Sequence, residues 1–145
     1  MNARSVHFTA AEMNAYLKEI FPQADVGEML FVEEISEKGA RVRLRFDDKH
    51  LRPGGTISGP AMFSLADVAL YVAVLGRIGR VALAVTTNLN INFLKKPPAA
   101  DLIGEARLLK LGKRLAVGEV SILSAAEDEL VAHAVGTYSI PVRGE

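Results

Sequence analysis

The sequence predicts an α+β domain in which an antiparallel sheet wraps a long central apolar helix. Between Gly59 and Leu75 a single charge, Asp67, interrupts an otherwise uncharged and mostly apolar run. A helix made from that run is apolar on nearly every side, so it must be enclosed and not merely laid on a surface. After it come four strand-like stretches with no second helix among them, the last three divided by tight turns as in an antiparallel meander. The chain has 145 residues, half of them apolar and 23% charged, which suits one globular domain with room for a core. No repeat, low-complexity tract or linker divides it. The expectation is a single domain over 1–145, with an N-terminal helix at about 9–21 and a core spanning about 26–140.

Each element has a local reason. Thr9 with Glu12 three residues on has the form of a capping box, Met13, Tyr16, Leu17 and Ile20 make an apolar stripe, and Pro22 closes the helix. Two strands are expected at about 27–36 and 40–46, with Lys38-Gly39 as the turn. In the second, Val42, Leu44 and Phe46 alternate with Arg41, Arg43 and Arg45. The central helix follows a Gly-rich loop, and Gly76 is expected to stop it. Residues 82–94 alternate again, with Val85, Thr87, Leu89, Ile91 and Phe93 on one face and Thr86, Asn88, Asn90 and Asn92 on the other. Strands at about 101–111, 114–124 and 130–140 complete the sheet, turning at Gly112-Lys113 and Glu127-Asp128.

Composition narrows the function. Lys plus Arg and Asp plus Glu both number 17, so no net field points to nucleic acid or to an anionic membrane. Cysteine is absent, which excludes disulfides, thiolate metal sites and a Cys nucleophile, and fits a cytoplasmic location. No secretory signal is visible at the N-terminus. The apolar run approaches the length of a membrane span, but Asp67 at its centre would cost about 2.5–3.5 kcal/mol there, and the strands offer cover instead. No His, Asp or Glu cluster has metal-ligand spacing, and neither a Ser–His–Asp pattern nor a phosphate-binding loop appears.

The chemistry concentrates in residues 50–67, HLRPGGTISGPAMFSLAD. A carboxylate in an apolar helix is costly unless it is paired or used. The loop before it brings free N–H groups to a helix N-terminus, where negative charge is favoured. Asp67 therefore reads as an acid–base residue near an anion hole. Its structural alternative is an ion pair with Arg52 or a bond to nearby backbone.

This segment resembles the signature of hotdog-fold acyl-CoA thioesterases of the PaaI-like (phenylacetyl-CoA thioesterase) family. His50, Gly55, Thr56, Gly59, Leu65 and Asp67 fall at matching positions, and TTNLNINFLKKP is similar to the family's strand after the helix. The resemblance spans about 26–140 and implies a hotdog fold. It also implies hydrolysis of an acyl-CoA to free acid and CoA, with CoA part of the substrate and no separate cofactor or metal. Asp67 is then the base or nucleophile and the Gly59 N–H the carbonyl-polarising donor. Arg52, Ser58 and Pro60 stand where the family has Asn, His and Gly.

Further substrate contacts are expected from Arg52, Ser58, His50 and either Thr86 or Thr87, and CoA phosphate contacts from Lys95 and Lys96. Against these stand plainer roles: a solvated Arg52, a helix cap at Ser58, a loop-positioning His50, β-forming threonines and a solvated lysine turn. Gly59 and Asp67 are eight residues apart, about 12 Å along a helix axis. If both act on one thioester they belong to different chains, so a homodimer is expected, with a dimer of dimers beyond it. The alternatives are an acyl-CoA binding protein in which Arg52 disarms Asp67, or a hotdog dehydratase or hydratase. The latter would need a His where Ser58 stands.

Overall fold

The computed structural model describes residues 6–142. Two α-helices, α1 (Ala10–Ile20) and α2 (Gly59–Ile78), accompany six strands: β1 (Leu30–Ile35), β2 (Gly39–Leu44), β3 (Val85–Phe93), β4 (Leu102–Leu111), β5 (Leu115–Ser124) and β6 (Glu129–Ser139). The strands form one sheet in the order β1-β2-β4-β5-β6-β3, every neighbouring pair antiparallel. The sheet curls around α2, and β4-β5-β6 is the expected meander.

The capping box opens α1 as its residues require: Glu12 N–H donates to Thr9 Oγ1 (3.1 Å) and Thr9 N–H to Glu12 Oε1 (2.8 Å). Met13 and Leu17 are buried beneath the helix. Asn14 docks α1 on the sheet edge by bonding both backbone groups of Val32, at 3.0 and 2.9 Å. This occupies polar groups that an edge strand otherwise leaves open. After Phe21 the chain turns through a short 3-10 segment, Pro22–Ala24, into Asp25, whose φ is 57°. The Asp25 carbonyl accepts N–H bonds from Glu28, Met29 and Leu30. That turn delays β1 to residue 30. Gly39, expected in the next turn, is instead the first residue of β2.

α2 is long and apolar enough to cross a membrane, yet most of it is buried inside the sheet. Its fit depends on a facing pair of glycines. Gly118 on β5 pairs with Gly136 on β6, and a Cβ on either would fall within 3 Å of a Leu70 methyl, 2.5 Å at Gly118 and 2.9 Å at Gly136. The two bare backbones form the trough that receives Leu70, letting the helix approach the sheet closely. Gly76 does not end the helix. A Cβ there would lie 3.0 Å from Ile35 Cγ2, so this glycine serves packing, and its carbonyl accepts the His7 N–H. The stop comes at Gly79 (φ 91°), whose N–H donates to the Leu75 carbonyl at 2.8 Å.

Strand β3 departs from strict alternation. Thr86 pairs with Tyr138 and Asn88 with Thr137, so Thr87 is an extra, bulged residue. The bulge shifts the period by one and turns Thr86 inward with Leu89 and Ile91, not outward with the asparagines. Thr87 bonds the Thr137 carbonyl at 3.3 Å instead.

Replacing Gly118 by Ala should destabilise the fold by about 1–3 kcal/mol through overpacking. A lowered urea midpoint with unchanged slope would show this; an unchanged midpoint would mean that Leu70 does not need the trough.

Candidate functional site

Asp67 lies half-buried on the side of α2 that the sheet covers least, between exposed Ser64 one turn before and buried Tyr71 one turn after, with half-buried Val68 beside it. The sheet reaches it from one side. Thr86 Oγ1 donates to Asp67 Oδ1 at 2.6 Å, and the Tyr138 hydroxyl donates to the same oxygen at 2.8 Å. Thr86 and Tyr138 are direct cross-strand partners, so a single register position of the sheet supplies both donors. The Tyr138 hydroxyl also lies 3.0 Å from the Asp67 backbone carbonyl. Burial, and then the neighbouring Asp67 carboxylate, push the Tyr138 phenol far above its ordinary range. It stays protonated and acts as a fixed donor. Tyr71 stacks on Tyr138, ring centres 5.8 Å apart, and donates to the Ala82 carbonyl at 2.7 Å. Burial raises its pKa to about 12. With both hydroxyls on Oδ1, Oδ2 accepts no protein hydrogen bond among the described residues.

Asp67 borders a cavity of about 560 Å³, shared with His50, Thr86, Tyr138 and an apolar wall. The His50 backbone carbonyl accepts the Ser58 N–H at 2.7 Å, while its imidazole Nδ1 is buried without a hydrogen-bond partner. Burial, followed by the nearby Lys49, lowers the His50 pKa, so the ring is neutral at pH 7. This cavity therefore combines an acceptor carboxylate, a neutral imidazole and an apolar lining.

Gly59 borders a different cavity, of about 470 Å³, with Arg52, Thr56, Phe93, Lys95 and Lys96. Ser58 caps α2, its Oγ accepting from Ala61 N–H at 3.3 Å. The Gly59 N–H, first of the helix, has no intrahelical acceptor. A Cβ on Gly59 would lie 3.2 Å from Phe93 Cζ, so the glycine also admits that ring. Arg52 is exposed, and its backbone holds the Gly-rich loop through bonds with Thr56 and Gly55. It makes no bond to Asp67. Lys95 is paired with Glu129 at 2.5 Å and Glu127 at 3.7 Å, which leaves it less charge to offer an anion than its neighbour Lys96. Among the described residues no group of three His, Cys, Asp or Glu is arranged to hold a metal.

The structure thus joins Asp67, His50 and Thr86 at one cavity, and Gly59, Arg52, Lys95 and Lys96 at another. Thr87 reaches neither, and Ser58 is engaged in capping. Tyr138 was not anticipated. The available signal was a lone aromatic ending the inward column Ala132, Ala134, Gly136 of β6.

A sheet curled around one apolar helix, with a carboxylate on that helix and a Gly-rich turn at its start, defines a hotdog domain. Residues 54–131 match the family model described as thioesterase superfamily, and the chain belongs to that superfamily. A Saccharolobus solfataricus protein with a provisional esterase name is 34% identical over 85% of this chain and 90% of its own length. A similarly named Pseudomonas aeruginosa protein is 31% identical over 83% and 89%. Among solved structures, a protein from Silicibacter provisionally described as a thioesterase is 45% identical, covers 97% of each chain and has a TM-score of 0.87. A variant of the phenylacetic acid degradation protein PaaI from Thermus thermophilus covers 88% of this chain and 99% of its own. At 24% identity and a TM-score of 0.70 it bears on the fold alone.

Thr86→Val and Tyr138→Phe should each destabilise by about 1.5–3 kcal/mol, the range for a hydrogen bond to a charged group. Each single change leaves one donor, but the double variant leaves Oδ1 bare and should lose about 0.5 kcal/mol or more beyond the sum. A urea-denaturation double-mutant cycle measures this, and strict additivity would mean the two hydroxyls do not serve the same oxygen.

Proposed function

We propose that this protein is an acyl-CoA thioesterase whose site is completed by a second copy of the chain. The observation that carries the reading is the division of labour between the two cavities. A thioester hydrolase needs a group to generate or be the nucleophile and a donor for the carbonyl oxygen. Asp67 fits the first role and the Gly59 N–H the second, yet they border separate cavities.

Strand β3 supplies the geometry that unites them. It is an edge of the sheet, and among the described residues no side chain docks on it as Asn14 does on β1. Val85, Phe93 and Leu94 stand half or more exposed along it, at 57%, 51% and 56%. Val85 and Thr86, at its start, border the Asp67 cavity; Phe93 and the residues after it border the Gly59 cavity. Antiparallel pairing of β3 with its counterpart in a second copy sets the start of one strand beside the end of the other. The Asp67 cavity of each chain then faces the Gly59 cavity of its partner. Two such sites form per homodimer, with a dimer of dimers as the further assembly.

In this site the thioester carbonyl accepts from Gly59 N–H, while Arg52 and Lys96, with Lys95 to a lesser degree, face the anionic CoA. Thr86 and Tyr138 hold Asp67 so that Oδ2 meets the reacting carbon or a water beside it. With Asp67 as base, a water O–C bond forms, the C–S bond breaks, and the proton taken by Asp67 goes to the thiolate. With Asp67 as nucleophile, its O–C bond forms as the C–S bond breaks and CoA leaves as a thiolate. Water then cleaves the acyl anhydride to free acid and the Asp67 carboxylate, and the proton released in that step balances the one the thiolate takes up. Both routes give free acid and CoA in a cytoplasmic setting.

Subunit mixing tests the composite site. Asp67→Asn removes the carboxylate. Gly59→Pro removes the donor N–H at the first helical position, where the proline backbone is compatible with the helix, and its ring displaces Phe93, whose Cζ would lie 3.2 Å from an added Cβ. Circular dichroism confirms that both variants fold. Each variant alone should be inactive. Randomly mixed, half the dimers are heterodimers with one intact site of two, so activity should return to about a quarter of wild type. Verified heterodimers that stay inactive would place each site within one chain.

A further inference from the structure

The geometry points to the recess behind Asp67 as the site of the acyl group, which we propose is an uncharged apolar chain of about six to ten carbons gauged by the strap between α1 and β1. This rests on the thioesterase reading and adds its substrate class. The recess is the inner part of the 560 Å³ cavity, within the range of small-molecule sites. Its walls are Phe21, Ala24, Met29, Val68, Tyr71 and Ala84. Gln23, Asp25, Lys49 and Ser64 are exposed at the rim of the same cavity, while the half-buried or buried Asp67, His50, Thr86 and Tyr138 form the polar end from which the recess leads away. An inner wall without a cation offers nothing to a second carboxylate, so acyl groups charged at their far end are rejected.

The strap fixes the depth. Phe21 meets Tyr71 edge-on, ring centres 6.3 Å apart. The turn behind it is held by the three N–H bonds to the Asp25 carbonyl, and α1 is pinned to β1 by the paired bonds of Asn14. The floor is therefore a braced segment and not a loose loop. From Asp67 to Tyr71 is four residues, about 6 Å along α2. With carbon–carbon bonds of about 1.5 Å an extended chain advances about 1.3 Å per carbon. About five carbons reach Tyr71, and the strap side of the recess takes a few more.

The test is the chain-length profile of kcat/KM on saturated acyl-CoAs from two to sixteen carbons, in wild type, Met29→Ala and Ala24→Leu. In wild type kcat/KM should climb by up to about fourfold per added methylene and stop climbing near eight carbons. Met29→Ala, which deepens the recess, should move that break to longer chains by about two carbons. Ala24→Leu, which fills it, should move it to shorter ones. Calorimetric binding of the free carboxylic acids to the same three proteins reads the recess without turnover. If turnover occurs but neither variant moves the break, the recess assignment is overturned and the thioesterase reading stands. If no acyl-CoA is hydrolysed but acid binding tracks the variants, the recess stands and the thioesterase reading falls. A protein that neither hydrolyses the panel nor binds the acids overturns both.

Discussion

The arrangement depends on how a carboxylate is accommodated on a helix that the fold otherwise keeps apolar. Leaving Asp67 against apolar surroundings without donors would cost several kcal/mol. The sheet resolves this by delivering two hydroxyls, from Thr86 and Tyr138, to one of its oxygens. That delivery requires α2 to lie close to β6 and β3, and closeness requires the bare backbones of Gly118 and Gly136 beneath Leu70. It also requires the bulge at Thr87, without which Thr86 would face away. Core packing, strand register and the chemistry of the helix are thus one problem with one solution.

The two edges of the sheet are treated differently, and this shapes the proposed assembly. At β1 the Asn14 side chain occupies the backbone groups of Val32, and α1 lies over that end. At β3 the edge is open and carries exposed apolar side chains. An open apolar edge is a hazard unless it has a partner, and the proposed pairing with a second copy of β3 would satisfy it symmetrically. On the proposed reading that same pairing converts two half-sites into whole ones, so dimerisation and catalysis share a cause.

Much of the fold could be read from residue patterns. The Thr9 and Glu12 box, the enclosed apolar helix and the meander follow from spacing, and each is present. The separation of Gly59 from Asp67 followed from helix rise alone. Other features depended on contacts between distant segments. Gly76 has the appearance of a stop, but only the position of Ile35 reveals it as a packing residue, and Gly79 ends the helix three residues later. Strict alternation put Thr86 with the asparagines, because a bulge leaves no mark in a run of β-formers. Tyr138 is 71 positions from Asp67, and nothing local ties it to the carboxylate. Lys95 could be counted as a cation in sequence, whereas its pairing with Glu127 and Glu129 is visible only in three dimensions.

The role proposed for the Asp67 carboxylate in thioester hydrolysis is tested most directly by CoA release from a panel of acyl-CoAs by wild type and Asp67→Asn side by side. Acyl-CoA binding and circular dichroism are followed on the same samples. Turnover by wild type is expected, with a loss of about 10²-fold or more in a folded Asp67→Asn protein, the scale that follows removal of a general base. A folded Asp67→Asn protein with near-normal turnover, or a wild type that binds acyl-CoA and releases no CoA, would contradict that role.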